Sequence, residues 1–541
     1  MSNITTSNNR PSTVKGPREQ QRITKKQAAE YLKCAEDPIY FIKNYVKITH
    51  IDHGLVPFKM YPYQEQMVKN FQEHRFNVSL LSRQSGKTAT VSAFAVHHVL
   101  FNDRKNALIL ANKYDTAKDI LDRIKKIYEE LPRWIQQGVL AWNKGSLELE
   151  NYSKITVGTT TENSGRSGSI SLLILDEFAF VRQNIADSFW QAVYPVISSG
   201  QDSKVIIIST ANGLNLFYKL WHDALEKKNG FHPFEVHWSD VPGRTQAWKK
   251  ETIANLGDES KFLAEYENEF LGSSNTLIPL YVLKRLTYSE PVQKDSTYSV
   301  YEKPKKDRSY IITVDVARGV GGDYSVLNVS DITEYPYRQV AVYRNNTIEA
   351  MLFATVIHQW AINYNNAYVL IEGNDLGEMV SGIVHNDLEY ENIILTSHGG
   401  RAGQRLGGGF GKTVRTGVMM SSRVKNIGCN NLKAMLVNNQ YEIRDFYTIQ
   451  ELSSFVQKGK SFAAEEGTHD DVVMSLVVLG WAIQDPYWKD LTDQDLRVKL
   501  EESRIEELME TATPFGFIDD GIMDFENEGW EPVEVNSMMY H

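Results

Sequence analysis

The chain has 541 residues, with 58 Lys and Arg against 68 Asp and Glu, a formal net charge of −10. Hydrophobic residues make up 42% and charged residues 23%. These proportions exclude a mainly disordered chain, a collagen repeat or a coiled-coil rod, and the net acidity excludes indiscriminate nucleic-acid binding while leaving room for a local basic surface.

At roughly 150 residues per domain the length predicts two to four domains. The first segment, Met1–Lys33, carries Arg10, Lys15, Arg18, Arg22, Lys25 and Lys26 without an apolar period. It reads as a mobile arm running into a helix near Lys26–Val46, with nothing that resembles a secretory signal. From Asn77 to about Trp238, apolar bursts at Val78–Leu81, Ala107–Ala111, Leu172–Leu175, Val205–Ile208 and Phe234–Trp238 alternate with amphipathic stretches. That pattern predicts a parallel sheet covered on both faces. Leu147–Leu149 and Ile155–Val157 flank a polar turn and predict a hairpin inserted into it. Pro291 to Arg308 is polar and reads as a linker. The second domain opens with Tyr310–Val314, Ser325–Val329 and Arg338–Tyr343. It adds Tyr368–Ile371 and Ile393–Thr396 and closes with an apolar helix, Asp471–Gln484, which together predict a mixed sheet. The apolar run Val472–Ile483 is too short for a membrane span of ~20 residues. After Asp485 the chain turns acidic, with one helix expected at Asp495–Glu510. The two cysteines, Cys34 and Cys429, cannot build a disulfide framework, so a soluble protein of a reducing cytosol is expected.

The strand Val78–Leu81 leads into Ser82-Arg83-Gln84-Ser85-Gly86-Lys87-Thr88 and then a stretch free of Gly and Pro. A tight loop between strand and helix aims backbone N–H groups and the helix dipole at phosphate. Lys87 would neutralise the β- and γ-phosphates and Thr88 would ligate Mg²⁺. Leu81 stands where the usual first glycine would be. Further on, Leu172–Leu175 ends in Asp176-Glu177, two carboxylates at the edge of the same sheet. Asp176 can hold the hydrated Mg²⁺ and Glu177 can polarise the attacking water. Gln64 could read adenine, Ser209-Thr210-Ala211-Asn212 could sense the γ-phosphate, and Arg83 or Arg166 could be the arginine finger.

In the second half, Asp315 and Glu372 end strands, and His469-Asp470-Asp471 opens the final helix. Such a cluster is costly unless cations neutralise it, and two Mg²⁺ or Mn²⁺ ions would do so, with Asp323 as an outer ligand. The chemistry implied is two-metal hydrolysis of a phosphodiester. Between Asn392 and Tyr441 there is no acidic residue, while Arg401, Arg405, Lys412, Arg415, Arg423, Lys425 and Lys433 are present. That span predicts a positive surface for a DNA backbone. The run Gly407-Gly408-Gly409-Phe410-Gly411-Lys412-Thr413 also ends in Gly-Lys-Thr, but without a strand before it or a helix after it.

These residues resemble the large terminase subunit of tailed bacteriophages, in particular the T-even-like myovirus type, from about Asp37 to Gln484. The resemblance is carried by Ser82–Thr88, Leu175-Asp176-Glu177, Trp142–Ser146, Thr313-Val314-Asp315, Ile371-Glu372 and Gly467–Leu476. It implies an α/β chain with a RecA-like (ASCE P-loop) ATPase domain followed by an RNase H-like nuclease domain. The divisions expected are a basic arm and helix (1–55), the ATPase domain with a small helical subdomain at its C-terminal end (56–290), a linker (291–308), the endonuclease (309–486) and an acidic tail (487–541). The resemblance implies ATP and Mg²⁺ at Ser82–Thr88 with Asp176, and nuclease metals on Asp315, Glu372 and Asp471. It assigns Arg83 as the finger in cis and Arg166 as one acting on a neighbouring subunit. Double-stranded DNA, a portal protein and a small terminase subunit are the partners implied. A monomer in solution, a homo-oligomeric ring on the portal, and the host cytoplasm complete the expectation. Two alternatives stand beside it: a helicase-type translocase with an attached nuclease, and a DNA-binding P-loop ATPase whose nuclease domain is inactive.

Overall fold

The computed structural model describes residues 10–50, 52–165, 169–272, 275–373, 376–398, 404–407, 414–459 and 461–488. Near the start, Thr24 caps the helix Lys25–Glu36 through a reciprocal pair of hydrogen bonds with Gln27. Asp37 ends that helix and caps the next, Pro38–Tyr45, by accepting the Ile39 and Tyr40 N–H groups. Proline lacks an N–H, so it opens a helix readily and cannot continue one. The single helix expected over 26–46 is therefore two. Nor is the arm free along its described length: Val14 is buried, and the Val139 N–H donates to the Lys15 carbonyl at 3.0 Å. The Lys15 N–H reaches Gln136 and the Arg18 N–H reaches Glu150, so the arm lies along the sheet's edge.

The first sheet has eight strands in the order His232–Val236, Phe76–Leu81, Lys204–Ser209, Leu172–Asp176, Asn106–Ala111, Lys154–Thr159, Ser146–Leu149, Val139–Asn143. The first six are parallel and the last two join antiparallel. Side chains alternate across it as the pleat requires. Ile174, Ile206 and Ile208 enter the core on one face, and Leu173, Leu175, Val205 and Ile207 that on the other. One strand, Lys204–Ser209, separates the strand of the phosphate loop from the strand ending in Asp176, and all three point the same way. A small helical unit follows, with Trp238, Phe262 and Tyr266 as its core and helices Gln246–Leu256 and Glu259–Glu265 around them.

The second sheet runs Gln293–Lys294, Tyr298–Val300, Tyr337–Asn345, Ser325–Asp331, Tyr310–Asp315, Tyr368–Ile371, and Tyr441–Glu442 pairs with the start of Tyr337–Asn345. Tyr310–Asp315 is antiparallel to Ser325–Asp331 and parallel to Tyr368–Ile371. The expected linker 291–308 is thus partly sheet: Tyr298–Val300 pairs with Tyr343–Ala341, and Tyr298 packs edge-on against Trp360. Its polar composition conceals two short strands, Gln293–Lys294 at the sheet's edge and Tyr298–Val300 inside it. The closing helix Asp471–Ala482 is buried at every position and packs on both Tyr310–Asp315 and Ser325–Asp331. It also meets the helix Ser422–Val437 at backbone contact. A Cβ on Gly428 would lie 2.2 Å from the Val477 carbonyl oxygen, and one on Gly480 2.6 Å from that of Gly428. Among the described residues no helix is long and apolar enough to cross a membrane.

Candidate nucleotide and metal sites

In the loop after Phe76–Leu81, Gln84 and Gly86 take left-handed backbone conformations, with φ of 58° and 77°. Such residues turn successive N–H groups toward one point, here at the start of the 14-residue helix Lys87–Leu100. A Cβ on Gly86 would lie 2.5 Å from Gln64 Nε2. Gln64 is buried; its oxygen accepts the Tyr61 N–H at 2.9 Å and its nitrogen donates to the Ser85 carbonyl at 3.1 Å. The Tyr63 hydroxyl donates to the same carbonyl at 2.9 Å. The Gln64 amide, expected from the sequence to read adenine, braces the bend of the phosphate loop from inside.

Asp176 is buried at the end of its strand, and burial pushes its carboxyl up to about 6 against the pull of Lys87 and the Thr88 hydroxyl. Lys87 Nζ lies 3.7 Å from Glu177 Oε1. Asp176 Oδ1 and Ser85 Oγ are buried without a hydrogen-bond partner among the described residues. Unpaired buried oxygens are rare in native proteins. Beside an ammonium and a helix N-terminus they fit a polyphosphate and its hydrated Mg²⁺. Ser82 is fully buried, and its N–H donates to the Val236 carbonyl at 2.9 Å, fixing where the loop leaves the sheet. Ser209 accepts the Ala179 N–H, and Asn212 donates to the Ala179 carbonyl, so this strand tip is bonded to the segment after Glu177.

Arg83 is paired with Glu265 at 3.0 Å, and its N–H donates to the Glu265 carbonyl, which joins the loop to the helical unit. Arg166 lies outside the described residues. The sequence reading missed Arg244. Its guanidinium donates to the carbonyls of Arg83 (2.8 Å) and Gln84 (3.3 Å) and packs over Trp248 and Tyr266. No motif marks it; the nearby aromatics are the only signal in the sequence.

In the second sheet, Val314 stands opposite Ile371 on parallel neighbours, so Asp315 and Glu372 leave the same edge side by side. Asp471 comes in from the closing helix. Its Oδ2 accepts the Tyr324 N–H at 3.0 Å and lies 3.7 Å from His469 Nδ1. The ligand atoms of Asp323, His469 and Asp471 all lie within 4.8 Å of one another. A cavity of about 370 Å³, lined in part by Asp315, Asp323 and Asp471, opens over them. Burial raises the Asp315 carboxyl well above its ordinary value, and Glu372 and Asp471 push it further. Burial likewise raises Glu372 and Asp471 to about 7. A cluster whose members drive protons onto one another fits divalent cations. The sequence placed Asp323 as an outer ligand; the structure gathers it with His469 and Asp471, their ligand atoms within 4.8 Å of one another.

The basic span divides. Arg401, Lys412 and the glycines 408, 409 and 411 lie outside the described residues. Arg405 and Arg415 are exposed on the strands that flank Leu395–His398, Arg405 opposite Ser397 and Arg415 opposite Thr396. Adjacent positions point to opposite faces, so the two arginines leave this small sheet on opposite sides. Arg423 is exposed in the first turn of Ser422–Val437. Lys425 is half-buried over Phe455, where its charge pulls the Glu372 carboxyl down.

Residues 78–285 match the family model described as terminase large subunit, T4likevirus-type, N-terminal. Residues 312–480 match the terminase RNaseH-like domain. The terminase large subunit of Thermus virus P23-45 is 26% identical over 505 residues, covering 86% of this chain and 95% of that protein. The large terminase of bacteriophage HK97 is similar over 83% of this chain and 99% of that one, at 13% identity and a TM-score of 0.48. The large terminase nuclease of thermophilic phage G20c, solved with cobalt, covers 38% of this chain and 97% of its own at 21% identity and a TM-score of 0.30. The two family models fall on the two sheets in order, in keeping with the RecA-like and RNase H-like fold class expected from the sequence. The chain belongs to the terminase large subunit family, with an ATPase domain followed by an RNase H-like nuclease domain.

Proposed function

We propose that this chain is the motor that uses ATP to drive double-stranded viral DNA into a prohead, and the endonuclease that cuts the concatemer. The observation that carries the reading is that one chain holds both a phosphate loop with an unpaired buried carboxylate and, in a separate sheet, a cavity walled by carboxylates that raise one another's affinity for protons. In the first site the N–H groups of Ser82–Thr88 hold phosphate, Lys87 neutralises it, Thr88 and Asp176 hold Mg²⁺, and Glu177 orients the attacking water. In the second, Asp315, Glu372 and Asp471, with Asp323 and His469, hold divalent ions. Mg²⁺ or Mn²⁺ bound there would polarise the scissile phosphate and activate water. Arg405, Arg415, Arg423 and Lys425 are the described candidates for holding the DNA backbone. The portal protein and the small terminase subunit are its proposed partners, a homo-oligomeric ring its working state on the portal, and the host cytoplasm its location.

The test is uptake of duplex DNA into empty proheads beside plasmid cleavage. Lys87→Ala and Glu177→Gln are expected to abolish ATP turnover and uptake, a loss of roughly 3 kcal/mol or more in transition-state stabilisation. Mg²⁺-dependent cleavage should persist in both variants. A Glu177→Gln protein retaining more than half of the turnover refutes its role. A wild-type chain that hydrolyses ATP in the presence of duplex DNA and empty proheads without uptake refutes the motor.

A further inference from the structure

Glu451 is fully buried on the helix Phe446–Ser454, and the nucleotide and metal chemistry described above makes no use of it. Its Oε2 accepts the N–H groups of Val472 (2.8 Å) and Val473 (3.0 Å), the residues that follow Asp471. The closing helix has no side-chain cap of its own, because Asp470 instead accepts the Ala464 N–H. Glu451 is thus a cap supplied from another element, and it fixes where the helix bearing Asp471 begins. The second oxygen of Glu451 lies 3.7 Å from Arg344 Nη2. The Arg344 guanidinium carbon lies over the rings of Tyr324 and Tyr447, 4.4 Å from each centroid. Tyr324 is the residue whose N–H binds Asp471.

As a structural bridge this pair is poorly made. Glu451 Oε1 and Arg344 Nε have no hydrogen-bond partner among the described residues. Buried ion pairs contribute little net stability even when fully bonded. Its contacts lead elsewhere: to Asp471 on one side and to the ATPase domain on the other. Gln183, six residues beyond Glu177, donates to Gln450 at 2.6 Å, and Gln450 precedes Glu451. On the helix Gln183–Ser198 that Gln183 opens, Asp187 lies within electrostatic reach of both Arg344 and Tyr447. We infer that the Arg344–Glu451 pair is the positioning element of the nuclease metal site, setting where Asp471 stands and tying that position to the ATPase domain through Gln183 and Asp187. The inference rests on the nuclease reading above.

The test uses the full chain with Mn²⁺ alone as the probe. Calorimetric titration without DNA is run beside plasmid cleavage against Mn²⁺ concentration, for Glu451→Gln, Arg344→Met and the double variant. Each single change is expected to raise the half-saturating Mn²⁺ concentration about tenfold, the usual effect of removing a residue behind a ligand. The double is expected to match the deeper single rather than multiply the two, because both act through one contact. ATP turnover without DNA should stay near wild type. Gln183→Ala should shift the midpoint the same way by about threefold; an unmoved midpoint there overturns the tie to the ATPase domain. Single variants with near wild-type midpoints, or a double whose loss multiplies, overturn the positioning role. If Arg344→Met does not fold, Glu451→Gln decides, since it keeps the shape and an acceptor oxygen. A wild-type chain that neither binds Mn²⁺ nor cleaves would instead sink the nuclease reading itself.

Discussion

Replacing Asp471 by asparagine separates its place at a helix N-terminus from the metal-ligand role proposed for it. As a charge at a helix N-terminus Asp471 is worth ~0.3–1 kcal/mol, and an asparagine oxygen can still accept the Tyr324 N–H now bonded at 3.0 Å. As a metal ligand its charge cannot be replaced. Burial raises Asp471 from 3.8 to about 7 and lifts Asp315 well above its ordinary value. The folded state therefore holds protons at these groups more tightly than the unfolded chain does. The resulting destabilisation is fully present above pH 7 and fades as the pH falls below it. A tenfold difference in proton affinity between the two states corresponds to ~1.4 kcal/mol, and in a domain of this size that is roughly 3–6 °C in Tm. At pH 8 without divalent ions, Asp471→Asn should melt above wild type, and the gap should shrink toward pH 6. Mn²⁺ should raise the wild-type melt and leave the variant unmoved, while plasmid cleavage by the variant falls by several orders of magnitude. Wild-type cleavage by Asp471→Asn refutes the metal assignment. A metal-free wild type whose melt drops between pH 8 and pH 6 refutes the electrostatic account.

Two further expectations concern arginines. Arg244→Ala frees the carbonyls of Arg83 and Gln84; losing a charged hydrogen bond costs ~1.5–3 kcal/mol. It should therefore raise the KM for ATP about tenfold or more in a steady-state assay, with kcat less affected. Arg83→Ala breaks an exposed pair with Glu265 worth ~0–1 kcal/mol; a fall in kcat with KM held would mark Arg83 as the finger, and unchanged kinetics would remove it. For Arg405 and Arg415, each phosphate contact contributes ~0.9 to the log–log salt slope of duplex binding. Because they leave opposite faces, Arg405→Ala/Arg415→Ala should lower the slope by ~0.9, and a drop of twice that would put both on DNA.

Much of the fold could be read from the sequence because buried parallel strands are apolar on both faces, and Leu172–Leu175 or Val205–Ile208 can be little else. The carboxylates were legible for a related reason. A charge directly after such a run, as at Asp176, Asp315 and Glu372, is carried to the sheet edge by the strand. What the sequence concealed depends on distant partners. Glu451 reads as an ordinary helix residue until the closing helix is laid against it. The brace made by Gln64 is invisible until Ser85 is laid against it, and Arg244 has no motif in sequence that announces the loop it holds. The two helices at 25–45 were legible in principle, since Asp37-Pro38 is a cap followed by a residue that cannot continue a helix. The short strands at 293–300 were not, because two- and three-residue strands at the margin of a sheet need little apolar surface of their own.

Where Gly428 faces Gly480, two helices touch through peptide groups instead of side chains. Side chains yield by changing rotamer, whereas stacked backbones do not. The helix that presents Arg423 and Lys425 and the helix that presents Asp471 therefore behave as one rigid lever. On the proposed function, the separation between a phosphate at Lys425 and an ion at Asp471 would be a dimension of the scaffold itself. Adding one methyl at either glycine would then change that ruler, and the error would be read out as the position of the cut.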